Sequence, residues 1–472
     1  MYATRIRVLA FFGTMMLAGC AIHRYQAAPI VPSETAARLE SRNLQDAGLR
    51  VFLEKNLGHP ESSWPLKSWD LPSLTLAAFY FNPEMKIARA QTSVAKAAVI
   101  TAGARPNPTL SLRPGIPSPY LFDLSLSMPI QTAGKRGYQI LEAKNLSEAA
   151  RFGLANTAWQ VRSAVRTALV NYLVAIRNAE QMQTKVKILA DRARLLRKRL
   201  AAGEISRPEL DLARIDLANV RLGALNARTQ IAQDRSLLAG AIGVPVSALN
   251  GVEYSWPGFD SPPNPDSLSL RTIQREAVLN RLDVRQALTA YVAAEARLQL
   301  EIARQYPDIQ IGPGYTYEEG NNFFTLGLST TLPIFNRNQG PIAEAEARRK
   351  EAAAQFLATQ ARVIAESEAA SARYRGAWKE LAEAERVLKL HGGKVRLAQQ
   401  TFKAGESGPL PVNSELLGSA AAASAKLAAL SRAQAALGSL EDAVERPLEP
   451  GDILPLSPES PALKNHAKEK KR

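Results

Sequence analysis

Ala202-Gly203-Glu204 recurs as Ala404-Gly405-Glu406 in a chain of 472 residues, an offset of 202 positions. These tripeptides are one of four pairs of matching landmarks that follow each other in the same order in the two halves of the sequence. The other pairs are Asn82-Pro83-Glu84-Met85 with Arg281-Leu282-Asp283-Val284, Pro108 with Pro307, and Met128-Pro129-Ile130 with Leu332-Pro333-Ile334. Landmarks that repeat in order indicate duplication of one structural unit. A duplicated unit more often builds a wall or a tube than a single catalytic cleft.

Long helices are predicted on both sides of each tripeptide. No proline occurs over residues 137–202, which allows a helix of roughly 100 Å, and the matching helix of the second half is predicted over residues 342–404. Gly203 ends the first helix and Pro208 lies near the start of the returning one. Apolar or small residues recur every three or four positions, at Val186, Leu189, Ala193, Leu196, Leu200, Leu210, Ala213, Leu217, Val220, Ala224, Ala227 and Ile231, and again at Leu416, Ala420, Ala423, Leu427, Leu430 and Leu437, with Gln434 in register. This spacing predicts a helical hairpin in each half.

The returning arm of the first hairpin carries a second apolar seam, formed by Leu212, Ile215, Leu222 and Leu225. A helix with two seams contacts neighbours on both sides, and such helices can curve into a tube. An isolated antiparallel coiled coil, which needs only one seam, is the alternative interpretation.

Four strands are predicted, two in each half, over residues 109–116, 121–128, 308–317 and 323–332, with turns at 117–120 and 318–322. Alternate positions are apolar, namely Phe122, Leu124, Leu126, Met128, Ile309, Ile311, Tyr315, Tyr317, Phe324, Leu326, Leu328 and Leu332. The positions between them include Asp123, Ser125, Ser127, Thr325, Gly327, Ser329 and Thr331. The wall of a water-filled barrel requires an apolar outer and a polar inner face, although a half-buried sheet of a soluble domain shows the same alternation. Four strands are too few to close a barrel, so several subunits would have to contribute strands.

The first 20 residues have the features of a lipoprotein export signal. Arg5 and Arg7 precede an apolar stretch over residues 8–17, which ends in Leu17-Ala18-Gly19-Cys20. Cys20 is the only cysteine, so no disulfide can form within one chain. The sequence predicts removal of residues 1–19 and lipidation of Cys20, whereas a buried structural cysteine is the alternative. Ala21, rather than Asp, follows the cysteine, as in lipoproteins sorted to the outer membrane.

Composition gives no support to catalysis or nucleic-acid binding. The net charge is +15, but the basic residues are interspersed with carboxylates along the predicted helices, and no nucleic-acid motif is present. The four histidines are scattered, without the spacing of a metal or catalytic motif. We therefore expect no catalytic residue, no cofactor, no metal site and no nucleic-acid partner. His391-Gly392-Gly393 is predicted to mark a break in a long helix.

Taken together, these motifs resemble the TolC-type family of outer-membrane efflux proteins. The lipobox, the Asn-Pro-Glu helix start, the Pro-Asn-Pro before a strand, the Pro-Ile at a strand end and the Gly-Glu at a hairpin tip all occur in that order. The stretch from Leu326 to Gly340 looks most like the heavy-metal-efflux, CzcC-like branch, and the resemblance covers residues 71–447. It implies a mainly α fold with membrane β-strands, in which a strand hairpin plus a long helical hairpin is duplicated. Three subunits would form one β-barrel, continued by a periplasmic α-helical tunnel.

The resemblance also implies partners and site residues. A homotrimer in outer-membrane lipid would dock a periplasmic adaptor and an inner-membrane RND pump. The docking residues would be those of the hairpin tips, Gly203, Glu204, Ser206, Gly405, Glu406 and Ser407. Family members often close the tunnel with acidic residues after the second tip, where this chain offers Glu406 and Glu415 as candidate gate residues. Extra prolines, Pro409 and Pro411, follow this tip.

The sequence therefore predicts a non-enzymatic, lipid-anchored outer-membrane channel with a large periplasmic portion, the passive exit duct of a tripartite exporter, with heavy-metal cations as cargo. A periplasmic adaptor lipoprotein, a channel for drugs or type I secretion, and a coiled-coil scaffold of the cell envelope are the alternatives. The predicted segments are a signal peptide (1–19), an N-terminal periplasmic segment (20–70), a first repeat (71–249), a proline-rich linker (250–265), a second repeat (266–447) and a disordered basic tail (448–472).

Overall fold

The computed structural model describes residues 24–60, 63–115 and 121–449. The chain divides into two compact units, residues 1–42 and residues 43–472. The described part of the first unit contains one helix, α1 (Pro32–Glu40), and none of its residues is buried. The predicted lipidation site Cys20 and the turn at 117–120 lie outside the described residues.

The second unit begins with a small cap around a hydrophobic core. It comprises α2 (Ala47–Leu57), β1 (Ser68–Trp69) and α3 (Leu71–Phe81). Asp70 and Ser73 form a capping box that starts α3, and almost every α3 side chain is buried. β1 pairs in parallel with β4 (Glu253–Tyr254), which follows a 3-10 turn (Val246–Leu249). The predicted linker thus contains a strand, and its Phe259 is fully buried.

Two repeats of the same elements follow the cap. The first repeat contains α4 (Pro83–Gly103), β2 (Thr109–Pro114), β3 (Leu121–Ile130), α5 (Lys135–Ala201) and α6 (Arg207–Ile242). After α7 (Leu270–Asn280), the second contains α8 (Leu282–Ala303), β5 (Ile309–Glu318), β6 (Asn321–Thr330), α9 (Gln339–Lys403) and α10 (Pro409–Val444). The duplication, the four strands and the two long helical hairpins are confirmed, with helix ends that differ from the predicted ones by a few residues.

The strands form one antiparallel sheet in the order β2-β3-β5-β6. The two hairpins have the same internal register, because Leu110 faces Leu126 in the first and Ile309 faces Thr330 in the second. Central strands β3 and β5 join the repeats. In the described residues, β2 and β6 are hydrogen-bonded on one side only, so they are the edges of the sheet.

The helices form layers whose order matches that of the strands. α5 packs against α6, α10, α4 and α8, and α9 packs against α10 and α8. Beside the sheet the order is α4-α5-α8-α9, and towards the hairpin tips it is α6-α5-α10-α9. The first seam predicted in each hairpin is confirmed, because its members are buried or half-buried, whereas the second seam of α6, from Leu212 to Leu225, is exposed in the single chain. First-repeat helices therefore lie at one edge of every layer, and α9 of the second repeat lies at the other.

The predicted helix break at His391-Gly392-Gly393 is wrong, because α9 continues through it. A Cβ at Gly392 or Gly393 would meet open space, so neither position requires glycine for steric reasons. On α10, a Cβ at Gly418 would lie 3.1 Å from the His391 ring, which shows how closely the two helices approach here. Glycine costs a helix about 1 kcal/mol relative to alanine, and the packing of α9 on α10 offsets that cost.

Candidate functional site

The first candidate surface is the apolar face of the sheet. Cross-strand pairing aligns apolar residues in rows, such as predicted Leu124, Tyr315 and Phe324 together with Leu112 of β2. On β6 this face is open, and Leu326 exposes 76% of its surface. The rings of Phe122, Tyr315 and Phe324 lie side by side, with centroids 6.4 and 5.4 Å apart. Exposed apolar surface with an aromatic row is typical of a protein face that contacts lipid or another subunit.

The opposite face of the sheet is polar. Asp123 accepts a hydrogen bond from Thr316 at 3.1 Å, and Ser127 donates one to Gln310 at 3.1 Å. Ser125, Gly314 and Thr325 form the next row, while Phe323 is an exception on this face. The two-faced pattern predicted from the sequence is therefore present in the folded sheet.

The second candidate surface consists of the two hairpin tips. Gly203 and Gly405 occupy the same position after their helices, with φ of 76° and 77°. Each lets the chain turn at once, because this left-handed conformation suits glycine and disfavours side chains. In both tips the residue after the glycine donates its backbone N–H to the carbonyl five positions earlier, at 2.9 and 3.0 Å. The tips are thus built alike.

Side chains make the two tips chemically different. Glu204 accepts a hydrogen bond from Arg199 at 2.8 Å, and Ser206 forms a capping box with Glu209. In the second tip Ser407 lies 3.3 Å from the hydroxyl of Thr401. Except for half-buried Ser407, the predicted docking residues are exposed. They are available to a partner at the end of the hairpins.

The candidate gate residues Glu406 and Glu415 lie in different parts of the second hairpin. Glu406 is exposed at the second tip, and Glu415 is half-buried on α10. Neither forms a salt bridge within the described residues. Pro409 and Pro411 do not lengthen the second tip. The returning helix α10 begins at Pro409, and α6 begins at the equivalent residue Arg207, 202 positions earlier. Prolines in a first helical turn need no hydrogen-bond donor.

A buried charged network holds the two hairpins together, and the sequence interpretation missed it. Glu441 on α10 lies 3.1 Å from Arg162 and 3.2 Å from Arg166, both on α5. Arg166 also donates to the backbone and side chain of Gln434, at 2.8 and 3.0 Å. All four side chains are almost completely buried. Two arginines four residues apart on an otherwise apolar helix face are the signal that would have revealed the network.

A second network joins the start of α8 to α9 and α10. Arg281 binds Asp283 through two hydrogen bonds of 2.8 and 3.1 Å, and also contacts Glu366 at 3.0 Å. Burial alone would raise the pKa of Asp283, but hydrogen bonds from Arg281 and Arg362 lower it overall. Glu445 accepts a hydrogen bond from the Leu282 backbone at 2.6 Å, and burial raises its pKa to about 7.

Arg281, Glu366 and Glu445 of the second network line an open cavity of about 890 Å³. Residues from α5, α6, α9 and α10 line it, including Trp159, Arg373, Asp442 and Glu445. Asp442 accepts hydrogen bonds from Trp159 at 2.9 Å and Ser163 at 2.7 Å, and burial raises its pKa. These contacts satisfy Asp442 within the protein.

In the part of the chain that the structure describes, no group of three or more His, Cys, Asp or Glu side chains is arranged to hold a metal ion. None of the described helices combines the length and apolar character needed to cross a membrane.

No protein-family model matches the chain. Over 240 residues the chain is 28% identical to the cobalt-zinc-cadmium resistance protein CzcC of Cupriavidus metallidurans, a match that covers 50% of this chain and 55% of that protein. The chain thus spans about half the length of this curated relative.

Solved structures match over more of the chain. CusC superposes with a TM-score of 0.65 at 18% identity, covering 82% of this chain and 95% of CusC. The outer-membrane protein VceC of Vibrio cholerae gives a TM-score of 0.64 at 19% identity, covering 80% and 97%. The open state of the MtrE outer-membrane channel of Neisseria gonorrhoeae gives 0.63 at 18%, covering 80% and 89%. The chain is therefore similar in sequence to CzcC over half its length and has the fold of the TolC-type outer-membrane channels.

Proposed function

We propose that this protein is the outer-membrane channel of a tripartite efflux system and acts as a passive exit duct. The observation that carries this proposal is the sheet with an exposed apolar face and a polar opposite face, held on helical hairpins of 67 and 65 residues in their first arms. Such helices extend about 100 Å. A lipid-facing sheet on long hairpins suits a conduit that begins in a membrane and reaches far from it.

The edges of the layers support a closed homotrimer. Exposed apolar residues occupy both free edges, on α6 (Leu212, Ile215, Leu222, Leu225) and on α9 (Leu357, Ile364, Leu390, Leu397, Phe402). One copy can therefore bury its α9 edge against the α6 edge of the next copy. An even number of antiparallel strands per chain lets the sheet continue in the same sense, and three chains would give a barrel of twelve strands without edges. In lipid, unpaired strand edges would cost several kcal/mol for each unsatisfied group.

Heavy-metal cations are the proposed cargo. This part rests on the similarity to CzcC, whose name refers to cobalt, zinc and cadmium resistance. A duct needs no tight metal site, since strong binding would slow release. The related channels are not enzymes, and we propose no catalytic activity for this chain.

We propose that the hairpin tips, at Gly203 to Ser206 and Gly405 to Ser407, bind a periplasmic adaptor that links the channel to an inner-membrane RND pump. Their exposure and their position at the turns farthest along the chain from the strands support this role. Lipidation at Cys20 would add an anchor to the outer membrane, and Glu406 and Glu415 remain candidate gate residues. An adaptor lipoprotein is a weaker alternative, because adaptors carry one helical hairpin whereas this chain carries two.

Export by cells tests the proposal. A Gram-negative strain that lacks its own channel but retains a metal-type pump and adaptor should regain growth in zinc, cobalt or cadmium when it produces this chain. The cells that regain growth should contain less metal than cells of the same strain without this chain, measured by mass spectrometry. Rescue against drugs alone would indicate a drug channel, and a chain that remains monomeric in detergent by light scattering would contradict the trimeric duct.

A further inference from the structure

The contact between the two repeats within one chain can serve as a template for the contact between two chains. β3 of the first repeat pairs with β5 of the second through Met128 with Ile311, Pro129 with Gln310 and Ile130 with Ile309. Just beyond these pairs, the turn that leads to α5 binds the residues before β5. In the described sheet, β3 and β5 are the only strands of different repeats that pair.

The turn is held by a small polar clasp. The backbone N–H and hydroxyl of Thr132 donate to the Asp308 carboxylate at 3.0 Å and the Pro307 carbonyl at 2.7 Å. The Lys135 ammonium donates to the same carboxylate at 2.6 Å and to the Tyr306 carbonyl at 2.5 Å. The strand pairing and the clasp together fix the register of one repeat on the other.

The duplication maps each of these residues onto the free edges of the sheet. The residues equivalent to Met128, Pro129 and Ile130 are Leu332, Pro333 and Ile334, which follow edge strand β6. The residues equivalent to Ile309, Gln310 and Ile311 are Leu110, Ser111 and Leu112, in edge strand β2. The hairpin registers agree with this mapping, since the pair Leu110 with Leu126 corresponds to Ile309 with Thr330.

The two repeats differ in where their second strands, β3 and β6, end. β3 continues to Ile130, because its last residues pair with β5. β6 stops at Thr330, four residues before the equivalent point. Leu332 and Ile334 then expose 70% and 65% of their surface, and Phe335 exposes 95%. The same sequence pattern is thus a strand where it has a neighbour and an exposed apolar segment where it has none.

We propose that residues 331–334 become an extension of β6 when a second copy of this chain supplies β2, with Leu332 opposite Leu112 and Ile334 opposite Leu110 of that copy. The inference rests on the trimer proposed above and adds the register and the segment that orders on assembly. Pro333 does not oppose this pairing, since its equivalent Pro129 already lies in a paired strand. Pairing satisfies backbone N–H and C=O groups that a free edge would leave without hydrogen bonds in lipid, which favours the assembled state.

The clasp at this second interface has a different chemistry. Gln339 stands where Lys135 stands in the first repeat, and Thr109 stands where Asp308 stands. The ion pair is therefore replaced by neutral groups, while Phe335 replaces the polar Gln131. The interface between copies relies on apolar contact where the interface within a copy relies on charge.

Disulfide trapping tests the register in the full-length chain. Residues directly opposite in an antiparallel pair have Cα atoms about 4.5–5.5 Å apart, within the range that a disulfide bridges. The double variant Leu332→Cys, Leu112→Cys should therefore form covalent dimers and trimers under mild oxidation of outer membranes, seen by non-reducing electrophoresis. The diagonal variant Leu332→Cys, Leu110→Cys is the matched control and should crosslink at least tenfold less, and each single variant reveals any contribution of Cys20.

Hydrogen exchange on the unmodified chain gives an independent measurement. The amides of Leu332 and Ile334, which point to the same side of the strand, should be protected in the assembled protein to the same degree as those of their equivalents Met128 and Ile130. A light-scattering mass of three copies, combined with equal crosslinking of the direct and diagonal pairs or with unprotected amides at Leu332 and Ile334, would overturn the register and leave the proposed channel intact. A monomeric mass would overturn both.

Discussion

Gly243 and Glu445 occupy the same position in the two repeats, and each ends its returning helix in the left-handed conformation, with φ of 89° and 47°. Gly243 has no side chain, and Asn82 caps α4 with its own carboxamide oxygen. In the second repeat Arg281 replaces Asn82, so the Glu445 carboxylate caps the start of α8 instead, at the Leu282 amide. A residue other than glycine costs about 1–3 kcal/mol in this conformation, and the cap offsets that strain.

Glu445 should make stability depend on pH. Burial raises its pKa to about 7, despite the hydrogen bond from Leu282 and the nearby Arg281, and the repulsion of Asp283 and Asp442 contributes. Because the folded state favours the protonated form, this contribution to stability is greatest below the ordinary carboxyl pKa near 4.5 and is lost as pH rises through about 7. The loss amounts to at most about 3 kcal/mol.

Glu445→Gln keeps an oxygen that can accept from Leu282 and removes the titration. The fall in unfolding free energy between pH 5 and pH 8, measured by urea titration in detergent at fixed protein concentration, should be smaller in this variant than in the parent protein. Glu385→Gln, a change at an exposed pair with Lys426, is the control and should leave the pH profile unaltered. An unchanged slope in Glu445→Gln would show that another group controls the pH response.

Removal of the buried charge at Glu441 should destabilise the junction of the hairpins. Glu441→Gln removes the carboxylate that contacts both buried arginines, Arg162 and Arg166, and leaves Arg166 only the more distant Glu449 at 3.8 Å; breaking a buried pair typically costs about 3–5 kcal/mol. The exposed pair of Glu383 with Arg386 provides a matched control, since Glu383→Gln should have no measurable effect. Thermal unfolding followed by circular dichroism gives both comparisons, and equal midpoints would contradict the role assigned to Glu441.

Local periodicity was enough to predict the long helices, the hairpin tips and the two-faced strands. The seam residues Leu189, Ala193, Leu210 and Ala213 are buried, as a heptad pattern requires. Strand alternation identified the faces because neighbouring side chains point in opposite directions. These features depend on spacing within one element, which the sequence shows directly.

Features that depend on contacts between distant segments were not predictable in this way. Arg166 meets Glu441 across 275 positions of sequence, and nothing near either residue indicates the other. The cap was not recognised, because α2 lies in the predicted N-terminal segment (20–70) and α3 at the start of the predicted first repeat (71–249), and no local pattern shows that the two helices pack together. The helix at His391 remained continuous because α10 supports it, which overrides the local effect of two glycines.

Lipidation at Cys20 is a prediction that concerns residues before the described part of the chain. Cys20→Ser should abolish incorporation of radiolabelled fatty acid and leave the signal uncleaved by the lipoprotein peptidase, because no other thiol is present. Ala21→Ser is the control and should remain acylated. Equal labelling of the Cys20→Ser protein would refute the prediction.

The hairpin tips should contact the adaptor. Cysteines at Ser206 and Ser407 should crosslink to the adaptor of the system with a short bifunctional reagent, whereas a cysteine at Ser236, about 45 Å along α6 from the first tip, should not. Immunoblotting of the crosslinked membranes measures the outcome. Labelling of Ser206→Cys and Ser407→Cys by an impermeant thiol reagent added to intact cells would instead place the tips outside the cell.

The two faces of β6 should respond differently to the same charge. Leu326 lies on the apolar face and Ser329 on the opposite one, three residues apart on one strand. If the apolar face meets lipid, Leu326→Arg should destabilise the assembled protein by about 2–4 kcal/mol near the middle of the bilayer, and less trimer should be recovered in detergent. Ser329→Arg should assemble normally and reduce single-channel conductance to cations, because its charge would line the aqueous path. Light scattering and planar-bilayer recordings test the two expectations separately, and equal assembly of the two variants would contradict a lipid-facing sheet.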